Sequence, residues 1–94
     1  MSLTIWKFET PFEEKFSIQM PTQSEILCIQ QDQKTMKPCI WALVYPNNPK
    51  EKRFFELFGT GNPIDTDMGI DRKYIGTYQY QNGEFVGHIF ERVD

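Results

Sequence analysis

The chain has 94 residues, a formal net charge of −3, and two Trp, four Tyr and eight Phe residues. A chain of this size can bury one modest core, so we expect a single domain over residues 1–94. The largest basic cluster, Lys50, Lys52 and Arg53, is too small to track phosphates along a duplex, which disfavours nucleic-acid binding.

The sequence shows neither a signal peptide nor a long apolar span, so we expect a cytoplasmic protein with no membrane association. Cys28 and Cys39 are interpreted as small buried hydrophobic residues of a reduced protein. A hairpin centred near Gln33–Lys34 would bring them roughly opposite each other, which leaves a disulfide geometrically open. Two cysteines and the distant His88 do not make a zinc site, and we expect no metal or cofactor.

Three strands are predicted in the first third of the chain. Leu3–Glu9 alternates, with Trp6 and Phe8 expected to point inward. Apolar residues at alternate positions of Phe12–Met20 predict a half-buried second strand, and Ser24–Gln31 is the third.

The middle of the chain is predicted to form its centre. Both faces of Cys39–Tyr45 are apolar, which is typical of a strand buried on both sides. Pro46–Pro49 ends this strand, and Phe54–Phe58 resumes the pattern. We therefore expect these two strands to pair as a central hairpin, with the other strands pairing outward from it.

A C-terminal hairpin is predicted around Asn82-Gly83, a preferred type I′ turn pair. Its flanking strands are Tyr74–Gln81 and Glu84–Arg92, in a register that sets each of two glycines opposite a large side chain. One face should then carry Tyr74, Gly76, Tyr78, Tyr80, Phe85, Gly87 and Ile89, and the other Ile75, Thr77, Gln79, Val86, His88 and Phe90.

These elements define the fold class. No helical period of useful length is present, and about seven short strands alternate with turn signals. We predict an all-β protein, an antiparallel sandwich or small barrel without substantial helix.

Two loops resemble ligand-binding motifs. Gly59, Thr60, Gly61 and Asn62 could present backbone N–H groups to a phosphate, but neither a helix nor a P-loop lysine follows, which favours a tight turn or a bulged strand end. The segment from Asp65 to Asp71 resembles a calcium loop. Its glycine is misplaced and the closing glutamate is missing, which favours a solvated acidic loop.

Catalysis is not indicated. His88 is the only histidine and is predicted to pair with Thr77 across the ladder, while both cysteines lie in apolar strands where a thiolate is disfavoured. The aromatic residues outnumber what such a core needs, so some of them could stack a nucleobase or form a dimer core, although packing in the core is the simplest interpretation.

Several blocks of the sequence resemble a family of short proteins carried by bacteriophages and prophages: IWKF (5–8), MP (20–21) followed by EIL (25–27), KPCIWALVYP (37–46), FGTGNPI (58–64), YIGTYQ (74–79) and FVGHIFE (85–91). The resemblance implies a phage context and no established activity. Relatives tend to have a histidine where this chain has Asn62, and if that histidine has a chemical role, its absence here weakens an enzymatic interpretation further.

We therefore expect a non-catalytic binding protein that forms a homodimer. It would antagonise a host system, either by sequestering a small nucleotide or by capping a host protein. For a nucleotide, Arg72 and Lys73 would meet phosphate and Tyr74 or Tyr45 would stack, beside the Gly59–Asn62 turn. The alternative is a structural or assembly accessory that self-associates or binds another phage protein.

Overall fold

The computed structural model describes residues 2–66 and 69–93. They form an all-β fold, a sandwich of two antiparallel sheets without helix, which confirms the predicted fold class. The strands are β1 (Thr4–Glu9), β2 (Lys15–Pro21), β3 (Glu25–Gln31), β4 (Pro38–Val44), β5 (Lys50–Gly59), β6 (Arg72–Tyr80) and β7 (Phe85–Arg92). Within the described part of the chain, no helix has the length and apolar character needed to cross a membrane.

The strand order differs from the prediction in the middle of the chain. One sheet has the order β1-β4-β3 and the other β2-β5-β7-β6, so the expected hairpin of β4 and β5 is wrong. The connection between them docks on the end of β2 instead. The Asn48 side chain donates to the Thr22 carbonyl at 2.9 Å, and the Thr22 amide donates to the Pro49 carbonyl at 2.8 Å. These contacts direct β5 to pair with β2 in the second sheet.

The core lies between the sheets. In β2 the buried and exposed residues alternate, because successive side chains of a strand point to opposite faces. The core cluster takes side chains from both sheets: Phe16, Ile18, Met20, Ile29, Ile40, Phe55, Leu57, Tyr78 and Ile89. Burying each such side chain contributes about 1.5–3 kcal/mol, so this cluster is what holds the two sheets together.

The C-terminal hairpin has the predicted register, with Tyr78 opposite Gly87. Asn82 and Gly83 have φ values of 59° and 89°, as a type I′ turn requires. A bulge between Tyr74 and Gly76 adds one residue to β6. The face assignment is therefore wrong before the bulge: Tyr74 lies on the outer face against Phe90, and Ile75 packs on the core.

Two glycines allow close packing around this hairpin. A Cβ on Gly76 would lie 2.9 Å from Cγ2 of Ile29, at the place where β6 of one sheet runs beside β3 of the other. A Cβ on Gly87 would lie 2.8 Å from Cδ1 of Leu57 and 2.9 Å from Cζ of Tyr78. Both positions exclude any larger side chain without repacking of the core.

A buried ion pair closes one end of the core. Arg53 on β5 donates to both carboxylate oxygens of Glu91 on β7, at 2.5 and 2.8 Å. A third N–H of Arg53 donates to the Ser24 carbonyl at 2.7 Å, which ties the turn between β2 and β3 to the core. The Glu91 carboxylate raises the pKa of Arg53 further above its already high value, so the guanidinium stays charged at any pH at which the protein is folded.

We predict that Gly87→Ala lowers the free energy of unfolding by about 1–3 kcal/mol, because the added methyl overlaps packed side chains. Urea unfolding followed by Trp fluorescence measures the change. The exposed Gln30→Ala on β3 is the control and should change stability by less than about 0.5 kcal/mol. Equal stability of Gly87→Ala and the wild type would contradict this packing.

We also predict that Arg53→Met destabilises the fold by about 3–5 kcal/mol, since it leaves the Glu91 carboxylate buried without its partner. The double variant Arg53→Met/Glu91→Leu should recover most of that loss, because both charges are then absent. The same urea titrations test this. A double variant no more stable than the single one would show that the pair is not the cause.

Candidate functional site

The outer face of the four-stranded sheet, the face turned away from the core, presents its side chains in rows across the strands. One row contains Ser17, Phe54, Arg92 and Arg72 in neighbouring positions of β2, β5, β7 and β6. The next contains Lys15, Glu56, Phe90 and Tyr74, and a third contains Phe58, His88 and Thr77. Charged and aromatic residues are thus concentrated on one surface.

Glu56 is the centre of this surface. It is only 5% exposed although it lies on the outer face. Nε of Arg72 donates to its carboxylate at 2.6 Å, and a guanidinium nitrogen of Arg92 lies 3.8 Å from the same oxygen. Lys15 is directly opposite Glu56 in the ladder. Two arginines therefore contact the Glu56 carboxylate, and a lysine occupies the position opposite it on β2.

Two depressions adjoin at this point. The first, which we call the outer groove, has a volume of about 520 Å³ and is lined by Lys15, Ser17, Phe54, Glu56 and Arg92 together with parts of Phe16 and Phe55. The second, which we call the loop cleft, measures about 380 Å³ and lies where Asn62, Pro63 and Asp65 cross the sheet. They share Lys15, Glu56 and Arg92, so the two depressions are continuous.

A chain of hydrogen bonds crosses the third row. The Thr60 hydroxyl is 2.7 Å from Nε2 of His88, and Nδ1 of His88 is 2.8 Å from the Thr77 hydroxyl. The Thr77 hydroxyl is in turn 2.5 Å from the hydroxyl of Tyr74. Both ring nitrogens of His88 have a hydroxyl partner, and the bond to Thr60 holds the Gly59–Asn62 turn on the sheet.

The predicted phosphate loop is a closed turn. The Asn62 amide donates to the Gly59 carbonyl at 3.1 Å, and Gly61 has a φ of 89°, which is the pattern of a type II turn. Because the Asn62 N–H is used within the turn, it cannot also bind a phosphate. Asn62 instead contributes its side chain to a wall of the loop cleft, and Thr60 points to His88.

The two predicted phosphate-binding cations are separated. Besides its bond to Glu56, Arg72 donates to the Asp65 carbonyl at 2.7 Å, and its guanidinium lies 5.5 Å from the centroid of the Phe58 ring. Two of its N–H groups are thus engaged within the protein. Lys73 is at the position opposite Glu91 in the ladder between β6 and β7, and its side chain is on the opposite side of β6 from that of Arg72.

The two predicted stacking tyrosines also lie apart. Tyr74 is more than half exposed on the outer face, with its ring 5.4 Å from that of Phe90. Tyr45 follows β4 in the other sheet, where its carbonyl accepts from the Asn48 amide. The structure therefore gathers the Gly59–Asn62 turn, Arg72 and Tyr74 on one surface and leaves Lys73 and Tyr45 outside it.

Neither cysteine is near this surface. Both thiols are free, and the register sets Cys28 opposite Trp41 rather than opposite Cys39. Burial raises the pKa of the Cys39 thiol, and the nearby Asp32 charge adds to the effect. A thiol in this state is a poor nucleophile.

The acidic loop is only partly described. Asp67 lies, with Met68, outside the described residues, so the predicted resemblance to a calcium loop stays a prediction. Asp65 contributes its backbone carbonyl to Arg72. In residues 2–66 and 69–93, no group of three or more His, Cys, Asp or Glu side chains is placed to hold a metal ion.

Sequence reasoning missed four residues of the outer groove: Lys15, Phe54, Glu56 and Arg92. Phe54, Glu56 and Phe58 alternate with Phe55 and Leu57 in the sequence, which places them on one face of the strand. The sequence does not reveal the register between β2, β5 and β7, and it is this register that places Lys15 and Arg92 beside Phe54 and Glu56. A glutamate between two phenylalanines on one strand face is the signal that could have indicated the surface.

Comparison with known proteins gives a family and no activity. No curated protein and no solved structure matches the chain significantly. The match to one family extends over residues 1–94, the full length of the chain. The protein therefore belongs to the family described as a domain of unknown function, DUF7352.

Proposed function

We propose that this protein is a non-catalytic binding protein that captures a small anionic ligand with a planar ring, such as a nucleotide, in the outer groove. The observation that carries the proposal is the ring of Phe54. It is 54% exposed, and it stands beside Arg92 on one neighbouring strand and Ser17 on the other. In the phage context that the resemblance implies, the protein would sequester a nucleotide signal of the host.

The groove suits such a ligand chemically. An exposed aromatic ring can stack a nucleobase, which contributes about 1–3 kcal/mol for each base. Arg92 and Lys15 lie on either side of Glu56 and can donate charge-assisted hydrogen bonds to a phosphate. The volume of about 520 Å³ is in the range of small-molecule sites.

The absence of catalysis is part of the proposal. Both His88 nitrogens are occupied by threonine hydroxyls, and the Glu56 carboxylate is held by Arg72. Neither group is in a position to exchange a proton with a ligand in the groove. These contacts support a protein that binds its ligand without converting it.

Removing the Phe54 ring or the Lys15 side chain should weaken nucleotide binding. With a nucleoside monophosphate at 100 times its dissociation constant, the wild type should gain about 2.7 kcal/mol of stability. Phe54→Ala and Lys15→Ala should each show a clearly smaller shift of the melting temperature at the same ligand concentration. Phe54→Ala removes the stacking surface, and Lys15→Ala removes a cation.

Matched controls are available on other surfaces. Phe12→Ala removes a ring that is 61% exposed but packs against Tyr80 and Phe85, away from the groove. Lys73→Ala removes an exposed cation from the opposite side of β6. Both should keep the wild-type shift. No shift with any linear or cyclic nucleotide would refute ligand capture and leave protein capping as the function to test.

A further inference from the structure

Strand β1 is the least buried strand of the described structure. Each of the other six strands contains at least one buried residue, but β1 contains none, although it carries Ile5, Trp6 and Phe8. Ile5 is 56% exposed. Trp6 and Phe8 are half-buried and Phe8 packs against the core, whereas the Ile5 side chain is exposed in this single chain.

The strand is also an open edge. In the described structure β1 pairs only with β4, and its register from Thr4 to Glu9 has no bulge. Two of the other three edges are protected, because β3 and β6 carry bulges and run beside each other. β2 pairs with β5 in an unbroken register as well, but its alternate side chains are buried in the core. β1 is therefore the one regular edge strand of the described structure that contains no buried residue.

The direction of the backbone groups can be read from the ladder. Thr10 continues the register opposite Pro38, and its amide donates to the Pro38 carbonyl at 3.1 Å. In an antiparallel pair, bonded positions alternate. The even residues of β1 therefore face β4, and the N–H and C=O groups of Ile5, Lys7 and Glu9 point to the open side.

We propose that this open side pairs antiparallel with β1 of a second copy, around a two-fold axis at Phe8, to form a homodimer with a continuous six-stranded sheet. The order of that sheet is β3-β4-β1 followed by the partner's β1-β4-β3. An antiparallel edge is self-complementary, as a two-fold interface requires. The proposal is independent of the ligand groove, which lies on the other sheet.

Charge selects the register. The outward-pointing residues must pair with each other. The axes that set Lys7 opposite another outward-pointing residue of β1 lie at Trp6, Lys7 and Phe8. An axis at Lys7 sets two lysines directly opposite, which is unfavourable. An axis at Trp6 sets Ile5 of each copy opposite Lys7 of the other, which pairs an apolar side chain with a charged one. An axis at Phe8 sets Lys7 of each copy opposite the partner's Glu9, in two equivalent opposite-charge pairs.

Lys7 does not block strand pairing at the open edge of β1. Edge strands often carry a lysine that discourages pairing, but Nζ of Lys7 reaches across β4 to the Asp32 carboxylate at 2.7 Å. Glu9 likewise leans toward Lys37 at 3.6 Å. The side chains of Lys7 and Glu9 are nevertheless 44% and 53% exposed, so they leave the backbone of the open side accessible and can still meet the opposite charges of a second strand.

The first test is Lys7→Pro, analysed by sedimentation equilibrium between about 10 and 300 μM. Proline removes the outward N–H of residue 7 and leaves the bonds to β4 in place. The wild type should be dimeric at the upper concentrations and Lys7→Pro monomeric, with both folded by circular dichroism. A monomeric wild type would overturn the proposal, and the edge of β1 would then be a candidate site for a strand of another protein. A dimer that persists in Lys7→Pro would also overturn it.

The second test uses charge and does not depend on the folding of the proline variant. Lys7→Glu alone, or Glu9→Lys alone, sets like charges opposite each other in both equivalent pairs and should weaken dimerisation about tenfold or more. The double variant Lys7→Glu/Glu9→Lys restores opposite charges and should restore the dimer. Failure of the double variant to dimerise, with its unfolding temperature unchanged, would contradict pairing around Phe8.

Discussion

The outer face of the four-stranded sheet depends on one buried carboxylate. Glu56 is withdrawn from water on a surface that would otherwise be solvated, and a buried charge requires a partner. Arg72 supplies it, and the same guanidinium holds the Asp65 carbonyl and covers the Phe58 ring. The segment after the Gly59–Asn62 turn is thereby fixed across the sheet, where it forms a wall of the loop cleft.

The two sheets have different characters. The four-stranded sheet carries charges, hydroxyls and rings on its outer face, with Phe54 left open between polar neighbours. The three-stranded sheet ends in β1, which has an exposed Ile5 side chain and a regular backbone edge that is not paired in the single chain. The ligand capture that we propose uses the first sheet and the proposed self-association uses the second, so the two would not compete for the same surface.

Local signals predicted much of this fold. Alternation located all seven strands to within a few residues, apart from the start of β5, and Asn82-Gly83 fixed the register of the C-terminal hairpin because a two-residue turn leaves no freedom. Contacts distant in sequence determined the remainder. The docking of Asn48 on Thr22 separated β4 from β5, and one extra residue in β6 reversed the face of Tyr74. The outer groove could not be predicted for the same reason. Its lining residues come from β2, β5 and β7, and only the register of these three strands brings them together.

The central claim is that the outer groove holds a ring-bearing anion, and chemical-shift mapping tests it most directly. Titrating the labelled protein with a nucleoside monophosphate should shift the backbone amides of Lys15–Ser17, Phe54–Glu56 and Arg92, which line the groove, and leave those of β1 and β4 unchanged. Saturable shifts confined to these three segments are the predicted result. Shifts centred on Tyr45, on Lys73 or on β1, or no saturable shifts at millimolar ligand, would contradict the account.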